Sequence, residues 1–74
     1  MSLLLPQNRP GAVVAAREVD LHGDRFVDVT LALDGEPAPV TSRVAANECP
    51  AALVPGERVV ARIVVGVVTR LTRA

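Results

Sequence analysis

The sequence predicts an all-β domain, a small five-stranded barrel, on three observations. Half of the 74 residues are hydrophobic and Phe26 is the only aromatic, so the core must be aliphatic. Valine, the commonest residue, favours strands through its restricted rotamers. Apolar residues recur at a period of two, the spacing that places alternate side chains on one face of a strand, and turn-forming residues separate the runs.

Pro6 and Pro10 make residues 1–10 an extended arm rather than a helix, with Leu3 to Leu5 packing onto the barrel or a neighbour. Residues 11–74 are then a single domain. Ala12 to Val19 reads as the first strand, and Gly23 supplies the positive φ of the turn after it. Arg25 to Leu33 is the second strand. Its Val27, Val29, Leu31 and Leu33 face the core, and Asp28 and Thr30 face out. Asp34-Gly35 is a hairpin signal. Pro37 and Pro39 confine the third strand to an edge, with Ala38, Val40, Ser42 and Val44 alternating with Thr41 and Arg43. Residues 47–53 read as one short helical turn, with Asn47 as its N-cap. Pro55-Gly56 is a turn. Five strands with one helical turn between the third and fourth describe a small OB-like barrel.

The C-terminal stretch Arg58–Thr72 organises the rest. Its odd positions Val59, Ala61, Ile63, Val65, Val67, Thr69 and Leu71 form a nearly unbroken apolar face, which assigns them to the core. Parity survives across Gly66, so the stretch reads as one long strand bending at a barrel corner, or two strands in a shared register. The even positions carry Val60, Val64 and Val68 beside Arg58, Arg62 and Arg70. Two readings of that face stand. Arginine stems cover scattered valines on a solvated face, or Val60, Arg62, Val64, Gly66, Val68 and Arg70 form an apolar strip with a polar rim that receives another chain. An uncovered Ile63–Val68 run would be an aggregation hazard, which favours a covered strip and a homo-oligomer.

Charge excludes some functions. Formal net charge is 0, but residues 1–36 sum to −3 and residues 37–74 to +3, a polarity suited to pairing of the two halves or to head-to-tail contacts between subunits. There is no overall basic footprint for nucleic acid, and one aromatic gives no platform for stacking bases. A single cysteine, Cys49, cannot form an internal disulfide and points to a reducing compartment. Neither a signal peptide nor a membrane-spanning run is expected, so the reading is cytoplasmic.

Catalysis finds no anchor. Asp20, His22 and Asp24 alternate, but no further ligands follow at zinc-like spacing, so they read as a solvated turn. Cys49 beside Pro50 reads as a small thiol in or near the core rather than a nucleophile. There is no phosphate loop, dinucleotide fingerprint or paired-carboxylate motif, so no enzyme activity and no metal site are expected.

The order of features, Gly11-Ala12-Val13-Val14, Val27-Asp28-Val29-Thr30-Leu31, Pro39-Val40-Thr41-Ser42 and Leu53-Val54-Pro55-Gly56-Glu57-Arg58-Val59, is similar to a TOBE or Mop domain. The resemblance implies an OB-type barrel that dimerises or assembles further and binds molybdate or tungstate between subunits, with Asn8, Arg9, Thr41 and Ser42 near the anion. The family's late lysine falls on Val64-Val65-Gly66, where this chain has no cation. Arg9, Arg43 or Arg62 and backbone amides would have to supply the charge. The expected function is therefore a non-catalytic module for self-assembly or partner docking through the C-terminal strand face. A molybdate- or tungstate-binding protein is the alternative.

Overall fold

A computed structural model describes residues 5–74. The chain is all-β: β1 (Gln7–Leu21), β2 (Asp24–Leu33), β3 (Val40–Ala45), β4 (Arg58–Val64) and β5 (Val67–Arg73), with one 3₁₀ turn at Ala46–Glu48. They form a single sheet in the order β3-β2-β1-β4-β5, and every neighbouring pair is antiparallel. Among the described residues there is no hydrogen-bonded ladder between the two edges, β3 and β5, although those strands approach each other closely. The sheet is curled rather than closed.

β1 makes the curl. Its first part pairs with β4 from Gln7↔Ile63 to Ala12↔Arg58, and its later part pairs with β2 from Gly11↔Leu33 to Leu21↔Asp24. The two ladders overlap only at Gly11 and Ala12. Gly11 is needed there because a Cβ would lie 2.7 Å from the carbonyl oxygen of Ala32 and 3.0 Å from the Cα of Leu33. Beyond it Val14 is an extra residue, since Val13 pairs with Leu31 while Ala15 pairs with Thr30. Such a bulge sharpens the local twist. Gln7–Pro10 therefore belong to the sheet, Leu5 is exposed, and Leu3 and Leu4 lie outside the described residues.

The concave side holds one core of Val13, Val27, Val29, Leu31, Leu33, Val44, Val59, Ala61, Val68 and Leu71. β2 alternates as its sequence predicts. Phe26 therefore faces away from the core, half-buried in a cross-strand row with Val19 and Ala45. The 3₁₀ turn spans Ala46–Glu48 rather than 47–53 and starts two residues early for an Asn47 cap: Ala45 occupies the N-cap position and no side chain caps it.

The C-terminal stretch departs most from its sequence reading. It is a hairpin with Val65-Gly66 as a two-residue loop, since Val64 pairs with Val67 and Ile63 with Val68. Both loop residues have positive φ, 50° and 76°, the signature of a primed turn matched to strand twist. A two-residue loop exchanges parity, so Val68 turns inward and Val65 and Val67 turn out. A bulge at Thr69 then exchanges it back, because Arg62 pairs with Arg70 and Ala61 with Leu71. The Thr69 hydroxyl donates to the carbonyl oxygen of Arg62 at 3.3 Å across the irregularity. Two opposite shifts cancel, which is why the sequence mimics one unbroken strand. The assignment of Val65, Val67 and Thr69 to the core is thus corrected: all three are exposed.

Gly11→Ala should destabilise the fold by about 1–3 kcal/mol, the usual range for forcing extra atoms into a packed site. Its thermal unfolding midpoint should fall relative to Gly35→Ala, where no atom lies within 4 Å of the added Cβ but φ is +84°. A midpoint equal to wild type would show that β1 bends without needing a bare backbone at residue 11.

Candidate functional site

The expected strip on the C-terminal hairpin is only partly assembled. Val60, Arg62 and Val64 alternate on the convex face of β4, opposite Thr72, Arg70 and Val67 of β5. Val60 and Val64 are half-buried and Arg62 and Arg70 exposed. Val68 is not part of that face. It is 6% exposed and sits in the core, because the turn reversed its side of the sheet. Gly66 is the exposed second residue of the loop. The convex face therefore carries Val60 at one end and the Val64–Val67 pair at the other, with Arg62 and Arg70 between them, rather than a continuous apolar strip.

The residues expected around an anion are likewise dispersed. Asn8 is exposed on β1 opposite Arg62, while Arg9 lies opposite buried Ala61. Arg9 Nη2 donates to Glu36 Oε1 and to the carbonyl oxygen of Asp34, each at 3.1 Å. Thr41 is exposed, its hydroxyl 3.3 Å from that of Thr30, whereas half-buried Ser42 pairs across the ladder with buried Val29. Thr41 and Ser42, as successive strand residues, face opposite sides of β3.

A different site emerges where β1 begins and the β4–β5 hairpin turns. A cleft of about 500 Å³ is lined by Leu5, Leu33, Val40, Ile63, Val65 and Gly66, with Gln7, Arg9 and Glu36 at its polar margin. Leu5 is 63% exposed, Val65 61% and Val40 36%, and Val67, just past the loop, is 57% exposed. Valine at φ 50° is an unfavourable choice, since a β-branched side chain crowds the backbone in the left-handed region. Asparagine or glycine would serve that turn position at less cost. The sequence reading missed this end of the molecule because Val65 lacks turn character and was absorbed into a strand.

A second concavity, of about 550 Å³, lies between the β1–β2 ribbon and the segment after the 3₁₀ turn, with Ala16, Val27, Cys49 and Leu53 among its lining. Burial pushes the Cys49 thiol up, against a smaller lowering by Arg73, which disfavours a thiolate nucleophile. In the β1–β2 turn, Asp20 Oδ1 accepts the Gly23 amide at 2.9 Å, a turn-stabilising contact. No group of three or more potential metal ligands occurs among the described residues, and no helix is long and apolar enough to cross a membrane.

Ion pairs brace the loops around the curl. Arg43 holds Asp28 through two hydrogen bonds of 2.7 and 3.0 Å between β3 and β2. Arg58 Nη1 holds Asp34 Oδ1 at 3.0 Å, tying β4 to the β2–β3 turn. These two pairs join the acidic and basic halves of the chain. Arg70 pairs with Glu48, and Arg73 pairs with Glu57 and donates to the carbonyl oxygen of Ala51 at 2.5 Å. Hydrogen bonds from those arginines hold Asp28, Asp34, Glu48 and Glu57 below their ordinary carboxylate range. Arg62, opposite Arg70, has no ion-pair partner among the described residues.

The chain matches no family model, no curated protein and no solved structure.

Carboxylates with depressed folded-state pKa contribute stability that is present above their unfolded pKa and lost as pH falls through the folded one. The thermal midpoint should therefore be steady from neutral pH to about pH 5 and fall below about pH 4, where unfolded carboxyls take up protons. Molar salt should shrink the acid-induced loss because all four pairs are screened at the surface. A midpoint independent of pH in that range would show that the braces contribute nothing to folding.

Proposed function

We propose that this chain is a non-catalytic β-barrel module, OB-like in arrangement, that works by presenting an apolar end to another chain. Five strands around one aliphatic core, edges that approach each other and a single helical turn between β3 and β4 support the OB-like reading, which includes partly open barrels. The observation that carries the function is the cleft at the β4–β5 loop, where Leu5, Val40 and Val65 stand in solvent above Leu33 and Ile63. An apolar centre with Gln7, Arg9 and Glu36 at its margin has the composition of a docking surface. The working surface thus moves from the strand face, Val60, Val64 and Val68, to the hairpin end beside it.

Oxyanion binding by Asn8, Arg9, Thr41 and Ser42 receives no comparable support, since the Arg9 guanidinium is already committed to Glu36 and Asp34.

The test is a paired substitution, Leu5→Asp with Val65→Asp. It should abolish binding of an environment-sensitive dye such as bis-ANS while the far-ultraviolet circular dichroism of the sheet is retained. Val64→Asp, on the convex face, should leave dye binding near the wild-type value. Dye binding that survives the pair, or that Val64→Asp abolishes equally, would return the surface to the strand face or remove it altogether.

A further inference from the structure

We infer that residues 46–55 form a strap that swings away from the sheet as a unit, latched by Arg70 and Arg73 of β5 and hinged where β1 fastens Gly56 and Glu57. The strap crosses from the end of β3 to the start of β4. None of its residues is fully buried. Cys49 and Leu53 are its contacts with the core, and each is half-buried. Open space lies on both flanks. About 550 Å³ separates the strap from Ala16, Glu18 and Val27 of the β1–β2 ribbon, and about 470 Å³ lies between it and Arg70–Arg73 of β5. A segment with few buried apolar contacts and much exposed backbone sits at the low end of local stability and opens ahead of the rest of the fold.

What holds the strap down is polar, and it comes from one strand. Arg70 pairs with Glu48. Arg73 grips twice, donating to the Ala51 carbonyl oxygen at 2.5 Å and pairing with Glu57 beside the hinge. The Cys49 amide donates to the Ala46 carbonyl oxygen at 3.4 Å, a bond inside the strap that moves with it. The hinge is firmer. The Gly56 amide donates to the Val13 carbonyl oxygen at 2.7 Å, and the Val13 amide donates to the Glu57 carbonyl oxygen at 2.9 Å. One further feature favours release. Ala52 is exposed at φ 56°, a left-handed conformation disfavoured for a residue with a Cβ, and opening relieves it. Release of the two arginines uncovers the end of the core at Ala16, Val27 and Leu71 and carries the Cys49 thiol into solvent.

Cys49 is the only cysteine, so its thiol reports opening directly. The measurement is its rate of labelling by a bulky maleimide on the full chain, in urea concentrations below the unfolding transition. Wild type should label more slowly than the urea-unfolded chain. Its urea dependence should be well below that of global unfolding, because strap opening exposes only a fraction of the surface. Arg73→Gln should label about tenfold faster, since a charged donor and an ion pair are lost together. Glu48→Gln, which frees the other latch, should label about threefold faster. Arg43→Gln breaks an ion pair on the β2–β3 ladder, away from the strap, and should leave the rate without urea unchanged. Labelling with the full urea dependence of unfolding, or accelerated equally by Arg43→Gln, would mean that the strap leaves only with the whole sheet, and overturns the inference. A rate unmoved by both latch variants overturns it as well. So does wild-type labelling as fast as that of the unfolded chain, because nothing then covers the thiol.

Discussion

One strand answers to two ladders, and the rest of the architecture follows from that constraint. β1 spends residues 7–12 on β4 and residues 11–21 on β2. It can satisfy both only by bending sharply where they overlap. Gly11 permits the close approach to Ala32 and Leu33, and the Val14 bulge adds twist just beyond it. The bend folds one part of the sheet over the other, so that Val29, Leu31 and Val44 share a core with Val59, Ala61, Val68 and Leu71. A flat sheet of the same strands would leave each of these side chains half in water. Curling is what lets so short a chain own a core without a single aromatic in it.

Much of this was legible in the residues, and the illegible part has a single physical cause. β2 was read with its inward and outward faces correct, because nothing interrupts its alternation from Val27 to Leu33. The β2–β3 turn and the edge character of β3 followed from Gly35, Pro37 and Pro39 in the same way. The helical turn before β4 was legible in its place between β3 and β4 but not in its span or cap, since it occupies Ala46–Glu48 and not 47–53. The C-terminal hairpin was not legible because a two-residue loop and a one-residue bulge each shift parity by one, in opposite directions. Their sum is zero, and periodicity records only the sum. The bulge is signalled by no residue type: Thr69 is an ordinary strand residue whose hydroxyl happens to reach the Arg62 carbonyl. Among the candidate site residues, Val60 and Val64 kept their predicted face while Val68 changed sides, and the exposure of Val65 in the loop and of Val67 beside Val68 on β5 comes from the same shift.

The arginines divide between bracing and bare surface, and the division maps onto what the loops lack. Residues 46–57 contain no regular element longer than the 3₁₀ turn. Their position is set instead by Arg70 on Glu48, Arg73 on Glu57 and the carbonyl of Ala51, and by two backbone bonds with Val13 at the bulge of β1. Arginine suits this task because its planar fork can hold a carboxylate and a carbonyl at once. The polarity between the acidic and basic halves is consumed in part by Asp28–Arg43 and Asp34–Arg58, which tie β2 to β3 and the turn after β2 to β4. What remains unspent is Arg62 on the convex face, beside Asn8.

The apolar end stands against this pattern of local satisfaction. Every other turn of the hairpin type places glycine, aspartate or histidine where the backbone turns left-handed or tight, and solvent meets polar atoms there. At Val65 the backbone and the side chain both object to their surroundings, and they object in ways that cannot compensate each other. Substituting asparagine would answer both objections within the chain. Within the chain, the Val65 side chain gains no burial to offset its backbone conformation. Leu5, just before β1, and Val40 of β3 line the same cleft, so the exposed apolar surface is shared by separate segments rather than confined to one strained residue.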